Sequence, residues 1–197
     1  KERVKAELQR QIHYQEYLGE VRNRLFAIGA EQKKIRLENS PDIHTCEQRI
    51  IRQDRALWER NALQEDFLRL RLGLGNLPLE MDLHFPEQRF GAEEDVLRKE
   101  LLRVQDEPKM VSGVPVTCSL TATPIVGVVG EQCEAVAFGQ SLLLQLAALH
   151  GYDEVKMVLL TSEPDYPVWE SFRFLPHMWN EQRDFRFLAT NEDERKA

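Results

Sequence analysis

The most informative segment of this chain is an apolar run that passes into a glycine turn, Pro124-Ile125-Val126-Gly127-Val128-Val129-Gly130-Glu131-Gln132-Cys133-Glu134-Ala135-Val136. Its apolar part, Ile125–Val129, has the pattern of a strand in a sheet that is covered on both faces. The residues that follow Gly130 predict the start of a helix. A phosphate-binding loop carries Gly-Lys-Ser/Thr at this place, but this chain has Glu134-Ala135-Val136. The segment therefore predicts the scaffold of a nucleotide site without its ligating side chains.

Strand and helix patterns alternate after this turn. An apolar helix is predicted from Cys133 to His150, and Val155–Leu160 is predicted as the next buried strand. A strand, a helix and a strand at this spacing are typical of a right-handed parallel crossover. A short helix over Trp169–Phe174 and a last strand over Phe185–Thr190 complete the pattern.

The chain before the turn changes from a helical to a strand pattern near Asp66. Alternating leucines predict a strand over residues 66–74 with one solvent-exposed face. A second strand is predicted over Leu79–Phe85, a helix over Glu93–Val104 and a short strand over Val114–Leu120. We therefore expect α/β architecture in residues 63–197, with a RecA-like or Rossmann-like, mainly parallel sheet and flanking helices, as in a P-loop ATPase domain.

Residues 1–62 predict a helical hairpin, which we call the stalk. Apolar residues of the first helix follow a heptad repeat as far as Ile35. Asn39-Ser40-Pro41-Asp42 ends that helix and caps a second one, which we expect to run to about Asn61. Two helices joined by a short turn form an antiparallel hairpin. The apolar stripe is explained by packing within the chain, and a partner-binding surface is the alternative.

Composition excludes several classes of function. The chain has 197 residues and a formal net charge of -7. It has no basic block, which argues against a nucleic-acid partner. Its three cysteines are far apart and have no zinc-site spacing, so we expect no metal site and a reducing compartment. The longest apolar run, Leu142–Leu149, is too short to cross a bilayer. Helical patterns at both ends suggest that the chain is cut from a longer protein.

Four separate strings combine to suggest a family. They are Leu57-Trp58-Glu59-Arg60, Asp66-Phe67-Leu68-Arg69-Leu70-Arg71-Leu72-Gly73-Leu74-Gly75, Leu144-Gln145-Leu146-Ala147-Ala148-Leu149-His150 and Leu175-Pro176-His177. In this order the strings resemble the membrane-anchored secretion ATPases of type VII systems, the EssC/EccC proteins of the FtsK/SpoIIIE class. The resemblance covers nearly the whole chain. It implies that the stalk continues a membrane helix into the cytoplasm, and that residues 63–197 form a degenerate ATPase-like domain, truncated at its C-terminus, before the ATPase modules.

The resemblance also implies cofactors and partners. ATP and magnesium belong to the parent protein, and no cofactor is expected in this fragment. The positions of the motor lysine and the Ser/Thr fall near Ala135 and Val136, and the acidic residue of the next strand falls near Thr161. No catalytic residue is therefore predicted, and we expect a non-catalytic coupling and docking domain. Expected partners are the adjacent ATPase modules and other membrane components of the secretion machine, in an oligomer at the cytoplasmic face of a bacterial membrane.

A regulatory nucleotide site is the alternative function. Backbone N–H groups at a helix N-terminus can hold an anion without a lysine. Gly127 and Gly130 are the candidate cofactor-binding residues for such a site. A tight turn at the edge of a sheet explains the same two glycines structurally.

Three further groups of residues have a functional and a structural interpretation. Arg69 and Arg71 share a strand face and could bind an anion or pair with carboxylates. An acid/base set could include Glu163, Asp165 and either His150 or His177. We expect instead that His150 contacts the last carbonyls of its helix, and that His177 packs beside Pro176 and Trp179. An apolar cluster near the C-terminus could pack in the core or bind the next ATPase module, and it consists of Trp169, Phe172, Phe174, Met178 and Trp179.

Overall fold

The structure, a computed structural model, describes residues 2–81, 109–192 and 194. The chain forms two compact units. The first unit comprises Lys1–Asn39 and Leu74–Val116, and the second comprises Ser40–Gly73 and Thr117–Ala197.

The first unit contains the long helix α1, which spans Glu2–Asn39 as the heptad pattern predicted. Leu79 and Val111 pack over Gly29 of this helix, where a Cβ atom would lie 3.7 Å from each of them. One turn later, the side-chain amide of Gln32 exchanges hydrogen bonds with the backbone of Glu80. These contacts fix α1 against the strand ends of its own unit.

Strands β1, Arg69–Pro78, and β2, Met110–Ser119, form a two-stranded sheet. The amide of Leu79 donates to the carbonyl of Lys109 at one end, and that of Leu120 donates to the carbonyl of Leu68 at the other, so the strands are antiparallel. The first predicted strand is therefore present but shifted by about three residues along the chain.

Other predictions for this region have mixed outcomes. The predicted strand over residues 114–120 forms the second half of β2. Residues 79–81 belong to no strand, which contradicts the start of the strand predicted over residues 79–85. The remainder of that strand and the helix predicted over residues 93–104 lie outside the described residues.

The second unit begins with the helix α2, Ile43–Arg52. Asp42 caps it, since its Oδ1 accepts a hydrogen bond from the amide of Thr45 at 2.8 Å. Gln53 ends the helix in the left-handed region, with φ of 50°. The prediction that this helix continues to Asn61 was wrong, because the residues after Gln53 turn away and bond to another helix.

That other helix, α3, spans Gln132–Leu149, within one residue of the prediction. It packs against α2. Buried apolar side chains from α3, β1 and the C-terminal segment form the core of the unit, and they are Leu70, Leu146, Ala147, Met157 and Met178. The helix therefore supplies both the packing and, at its C-terminal end, the polar contacts described below.

A second sheet pairs β3, Leu159–Leu160, in parallel with β4, Leu188–Ala189. Both strands lie inside the predicted ranges but are only two residues long. Between them lies α4, Tyr166–Trp169, and the short helix predicted over Trp169–Phe174 is mainly a 3-10 helix, Glu170–Phe174. A second 3-10 helix follows over Pro176–Met178.

The predicted strand at Ile125–Val129 is wrong. These residues are irregular and exposed, and the exposed fractions of Ile125 and Val129 are 88% and 100%. An apolar run becomes a buried strand only when a neighbouring strand and a covering face are available. In the part of the chain that the structure describes, each sheet has two strands. A mixed helix-and-strand fold is thus confirmed, while a mainly parallel P-loop-like sheet is not.

Candidate functional site

The two glycines predicted to bind a cofactor lie in the exposed segment before α3. A Cβ atom added to Gly127 or Gly130 would meet no atom within 4 Å, and neither glycine has a positive φ. Glu131 occupies the N-cap position without a side-chain capping bond, and Glu134 follows in the first turn. The sequence has no lysine or arginine between Lys109 and Lys156. Nucleotide binding at these glycines stays a prediction.

The polar groups of the second unit concentrate instead at the C-terminal end of α3. We call this site the α3 node and define it by Trp58, Arg60, Gln145, His150 and His177. All of these side chains except that of Trp58 are buried. They come from three segments that are distant in sequence.

Trp58 and Arg60 satisfy the last carbonyls of α3, which a helix leaves without intrahelical partners. The backbone amide of Trp58 donates to the carbonyl of Ala148, and its indole Nε1 donates to that of Ala147, both at 2.9 Å. The backbone amide of Arg60 donates to the carbonyl of Leu149 at 2.9 Å. The segment after α2 therefore caps α3 in place of a glycine motif.

The Arg60 side chain ties this cap to β1. Its Nε lies 2.9 Å from Oδ2 of Asp66, and its Nη1 donates to the carbonyl of Arg69. Burial lowers the pKa of the guanidinium, and the Asp66 carboxylate opposes that shift. The charge of Arg60 is thus compensated by an ion pair and by backbone oxygen.

His150 joins the end of α3 to the residue before β1. Its Nε2 accepts a hydrogen bond from the amide of Leu68 at 3.0 Å, so Nδ1 carries the proton and faces the carbonyl of Leu146 at 3.3 Å. Burial lowers the pKa of His150 to about 4. The ring is therefore neutral at neutral pH, and it holds Leu68, a non-glycine residue with φ of 56°.

His177 connects the C-terminal segment to the node. Its Nε2 donates to the carbonyl of His150 at 2.8 Å, and burial lowers its pKa. Its ring packs edge-on against those of Trp58 and Tyr152. The expected contact of His150 with the last helix carbonyls is confirmed. For His177, the recorded ring contacts are with Trp58 and Tyr152 rather than the expected Trp179.

Gln145 is a node residue whose role the sequence did not indicate. Its Oε1 accepts from the amide of Arg71 at 2.8 Å, and its Nε2 donates to the carbonyl of Arg71 at 3.0 Å. The side-chain amide thus acts as a strand partner for β1. The only signal in the sequence was a polar residue within the apolar run Leu142–Leu149.

The side-chain hydrogen bonds of the candidate acid/base residues Asp165, His150 and His177 do not join these side chains to one another. Both histidines bond to backbone groups, as described. Asp165 accepts hydrogen bonds from the Ser162 hydroxyl at 2.5 Å and the Gln132 amide at 3.3 Å. Within the described residues, no cluster of three or more His, Cys, Asp and Glu side chains could hold a metal ion.

The two strand arginines also bond to the backbone. Arg69 Nη2 donates to the carbonyl of Glu65 at 3.2 Å, and Arg71 Nη1 donates to the carbonyl of Ser40 at 3.0 Å. The expected carboxylate partners are replaced by main-chain oxygen atoms. Both side chains thus fix the chain on either side of α2.

The predicted apolar cluster near the C-terminus is divided between core and surface. Met178 is buried in the core, whereas Phe174 is 73% exposed. Trp169 lies over Gly139 of α3, where a Cβ would come within 3.3 Å of its ring. The guanidinium of Arg186 covers the ring of Trp179 at 4.3 Å.

Comparison with known proteins finds relatives in one kind of secretion system. The chain is 25% identical to the ESX secretion system protein EccC of Geobacillus thermodenitrificans over 98% of its length, and 26% identical to the ESX secretion system protein YukB of Bacillus subtilis over 89%. It is 24% identical to the type VII secretion system protein EssC of Staphylococcus aureus over 69%. The resemblance to the EssC/EccC proteins is confirmed. This chain spans 13%, 12% and 9% of those relatives' lengths. No protein-family profile matches it.

The strings that carried the resemblance to the EssC/EccC proteins meet in the α3 node. The Leu-Trp-Glu-Arg string supplies Trp58 and Arg60, and the string that begins at Asp66 supplies the partners of Arg60 and His150. The helix string supplies Gln145 and His150, and Leu-Pro-His supplies His177. The strings from which the resemblance was inferred therefore lie at a structural junction. Among the described residues, no helix is both long and apolar enough to cross a bilayer.

Proposed function

We propose that this chain is a non-catalytic coupling and docking domain of a membrane-anchored, FtsK/SpoIIIE-type ATPase that drives type VII protein secretion. The printed names of its relatives, which are ESX or type VII secretion system proteins, support a role in such a system. The observation that carries the coupling role is the α3 node. Three separate segments, namely the one after α2, β1 with the residue before it, and the C-terminal segment, are bonded there to the end of a single helix.

The node is suited to transmit displacement because its contacts are short and directional. Bonds of 2.9 Å join α3 to the segment after α2, and a bond of 2.8 Å joins the residue after α3 to His177. Gln145 adds two bonds to β1. A shift of α3 would therefore move these segments together, unless it broke buried hydrogen bonds, each of which costs about 1–3 kcal/mol when a partner is left unsatisfied.

We base the proposed absence of catalysis on the charged residues around the start of α3. A triphosphate needs cations, yet Glu131 and Glu134 come shortly before Ala135, near which a motor has its lysine, and the sequence has no lysine or arginine from residue 110 to 155. ATP and magnesium are accordingly proposed as cofactors of the parent protein alone. Docking to neighbouring ATPase modules and membrane components, in an oligomer at the cytoplasmic membrane face, completes the proposal.

Isothermal titration of the 197-residue chain with ATP and Mg²⁺ tests this proposal. We expect no saturable heat, because the segment offers no cation to the phosphates. Unfolding by urea, followed on the same sample, controls for loss of the fold. Micromolar binding without hydrolysis would favour the regulatory nucleotide site over this proposal, and hydrolysis by the isolated chain would overturn the non-catalytic assignment.

A double variant tests the alternative function, which is a regulatory nucleotide site at Gly127 and Gly130. If binding occurred, a chain with Gly127→Glu and Gly130→Glu should lose it, because acidic side chains repel phosphate. Both positions have space for a side chain, so the fold should survive the change. Binding that persisted in this variant would place the nucleotide elsewhere.

A further inference from the structure

The first unit contains a groove that the α3 node does not involve. Its volume is about 530 Å³, and it lies between α1 and the adjoining ends of the strands. Gly29 and Ala30 form its floor on the helix. A groove of this size is within the range of sites that hold a ligand or a partner segment.

The apolar lining of the groove is incompletely covered. Leu79 and Val111 pack over Gly29, but one turn earlier Leu25 and Phe26 line the groove, and the Phe26 side chain is 84% exposed. A large exposed aromatic side chain beside an apolar groove is typical of an interaction surface.

Among the described residues that line the groove, the charged side chains are all basic. Arg22, Lys33 and Lys109 line it, and no acidic residue does so among those that the structure describes. The Lys33 ammonium donates to the carbonyl of Ser112 at 2.9 Å, which holds that charge at the rim. This local excess of positive charge contrasts with the net charge of -7 of the whole chain.

We propose that this groove binds an acidic amphipathic helix of a partner protein. The lining on α1 extends from Arg22 to Lys33, which corresponds to about 17 Å, or three helical turns. An amphipathic helix places leucines at i, i+3, i+4 and i+7 into such a groove, while flanking glutamates meet the basic rim. This proposal rests on the docking part of the proposed function and names the chemistry of one partner.

The test uses a fluorescent peptide of about 18 residues, with leucines at that spacing and glutamates beside them, and fluorescence anisotropy with the 197-residue chain. A peptide with lysine in place of glutamate is the control ligand. We expect the glutamate peptide alone to bind, and to bind less tightly at high salt. Arg22→Glu and Phe26→Ala should each weaken binding by about tenfold.

Matched control variants on α1 are Arg24→Glu and Ile12→Ala. Both residues are exposed and do not line the groove, so these changes should leave the affinity within about twofold. Equal effects of Arg22→Glu and Arg24→Glu, or equal binding of the two peptides, would overturn the proposal.

Two other occupants are distinguished by the same assay. Binding to phosphatidylglycerol vesicles, without peptide binding, would assign the groove to anionic lipid and contradict the proposal. If the peptide bound only after residues 82–108 had been replaced by a Gly/Ser linker, the groove would be assigned to the chain's own segment. That result would also contradict the proposal. Neither result affects the nucleotide titration, so failure of the groove proposal and failure of the non-catalytic assignment are distinguishable.

Discussion

At the residue scale, His150 shows how a titratable side chain can serve as a purely structural acceptor. Its buried Nε2 bonds to the amide of Leu68, and this bond requires the neutral ring. Protonation would replace the acceptor by a donor that faces an amide. Arg60 is nearby and also disfavours a second positive charge, whereas Asp66 favours it. Burial dominates these influences and sets the low pKa.

This arrangement predicts a stability that falls with acidification. The pKa of His150 is about 4 in the folded chain and 6.5 as the ordinary value, so the unfolded chain binds more protons between these limits. The contribution of neutral His150 to the free energy of unfolding is complete above pH 6.5 and is lost as the pH falls towards 4. Urea unfolding at pH 7.5 and pH 5 should differ by about 2 kcal/mol from this residue. His177, whose pKa is also lowered by burial, adds to the loss.

The variant His150→Gln separates the effect of protonating residue 150 from the effect of losing its hydrogen bond to Leu68. Glutamine offers an amide oxygen to Leu68 but does not titrate, so the free energy of unfolding should change less between the two pH values. The control His44→Gln changes an exposed histidine of α2 and should retain the full pH dependence. An unchanged pH dependence in His150→Gln would show that another group is responsible.

At the element scale, α3 is the helix on which the second unit depends. Its apolar residues fill the core, and Gln145 replaces a missing neighbouring strand for part of β1. A helix that offers an amide side chain to a strand can satisfy only one residue of that strand. The contact therefore fixes one register of β1 against α3.

The change Gln145→Leu should be strongly destabilising, although leucine suits an apolar helix. It would leave the amide and carbonyl of Arg71 without their partners, at a cost of about 2–4 kcal/mol for two partly buried groups. The matched control is Gln140→Leu on the same helix, which removes a single exposed bond to the carbonyl of Val168 and should cost less than about 1 kcal/mol. Equal urea midpoints for the two variants would contradict this role.

The elements also show what the sequence could and could not predict. The ends of helices α1 and α3 were predicted to within about two residues, because a helical pattern that is sustained over many residues is a strong local signal. The strand predicted at Ile125–Val129 was wrong, since an apolar run does not reveal whether a neighbouring strand is present. The cap on α3 could not be predicted because its partners, such as Trp58 and Ala148, are 90 residues apart.

The candidate site was predictable only in part. The resemblance drew attention to Trp58, Arg60, Gln145, His150 and His177 as members of separate strings, and a contact of His150 with helix carbonyls was expected. Nothing in the spacing of the strings showed that they meet. The convergence depends on long-range hydrogen bonds, which leave no period in the sequence.

At the scale of the whole molecule, the described residues of the two compact units differ in how many apolar side chains are buried. Buried apolar side chains of the first unit include Leu18, Val111 and Val114. A larger set is buried in the second unit, namely Cys46, Leu70, Leu146, Ala147, Ala148, Leu149, Met157, Met178 and Ala189. Since burial of apolar surface is the main stabilising contribution to folding, we expect the first unit, which has fewer buried apolar side chains among the described residues, to be the less stable.

Two spectroscopic probes can follow the units separately. All three tryptophans, Trp58, Trp169 and Trp179, belong to the second unit, so their fluorescence reports on that unit alone. The 38 residues of α1 outnumber the 10 of α2 and the 18 of α3 combined, so helical circular dichroism is weighted towards the first unit. We predict that the circular-dichroism transition in urea begins at a lower concentration than the fluorescence transition, because units that unfold independently give non-coincident transitions.

Leu18→Ala should shift the circular-dichroism transition and leave the fluorescence transition in place, at a cost of about 2–3 kcal/mol, whereas Met157→Ala should do the reverse. Coincident transitions in the unmodified chain, together with equal shifts of both probes in each variant, would mean that the two units unfold as one cooperative structure.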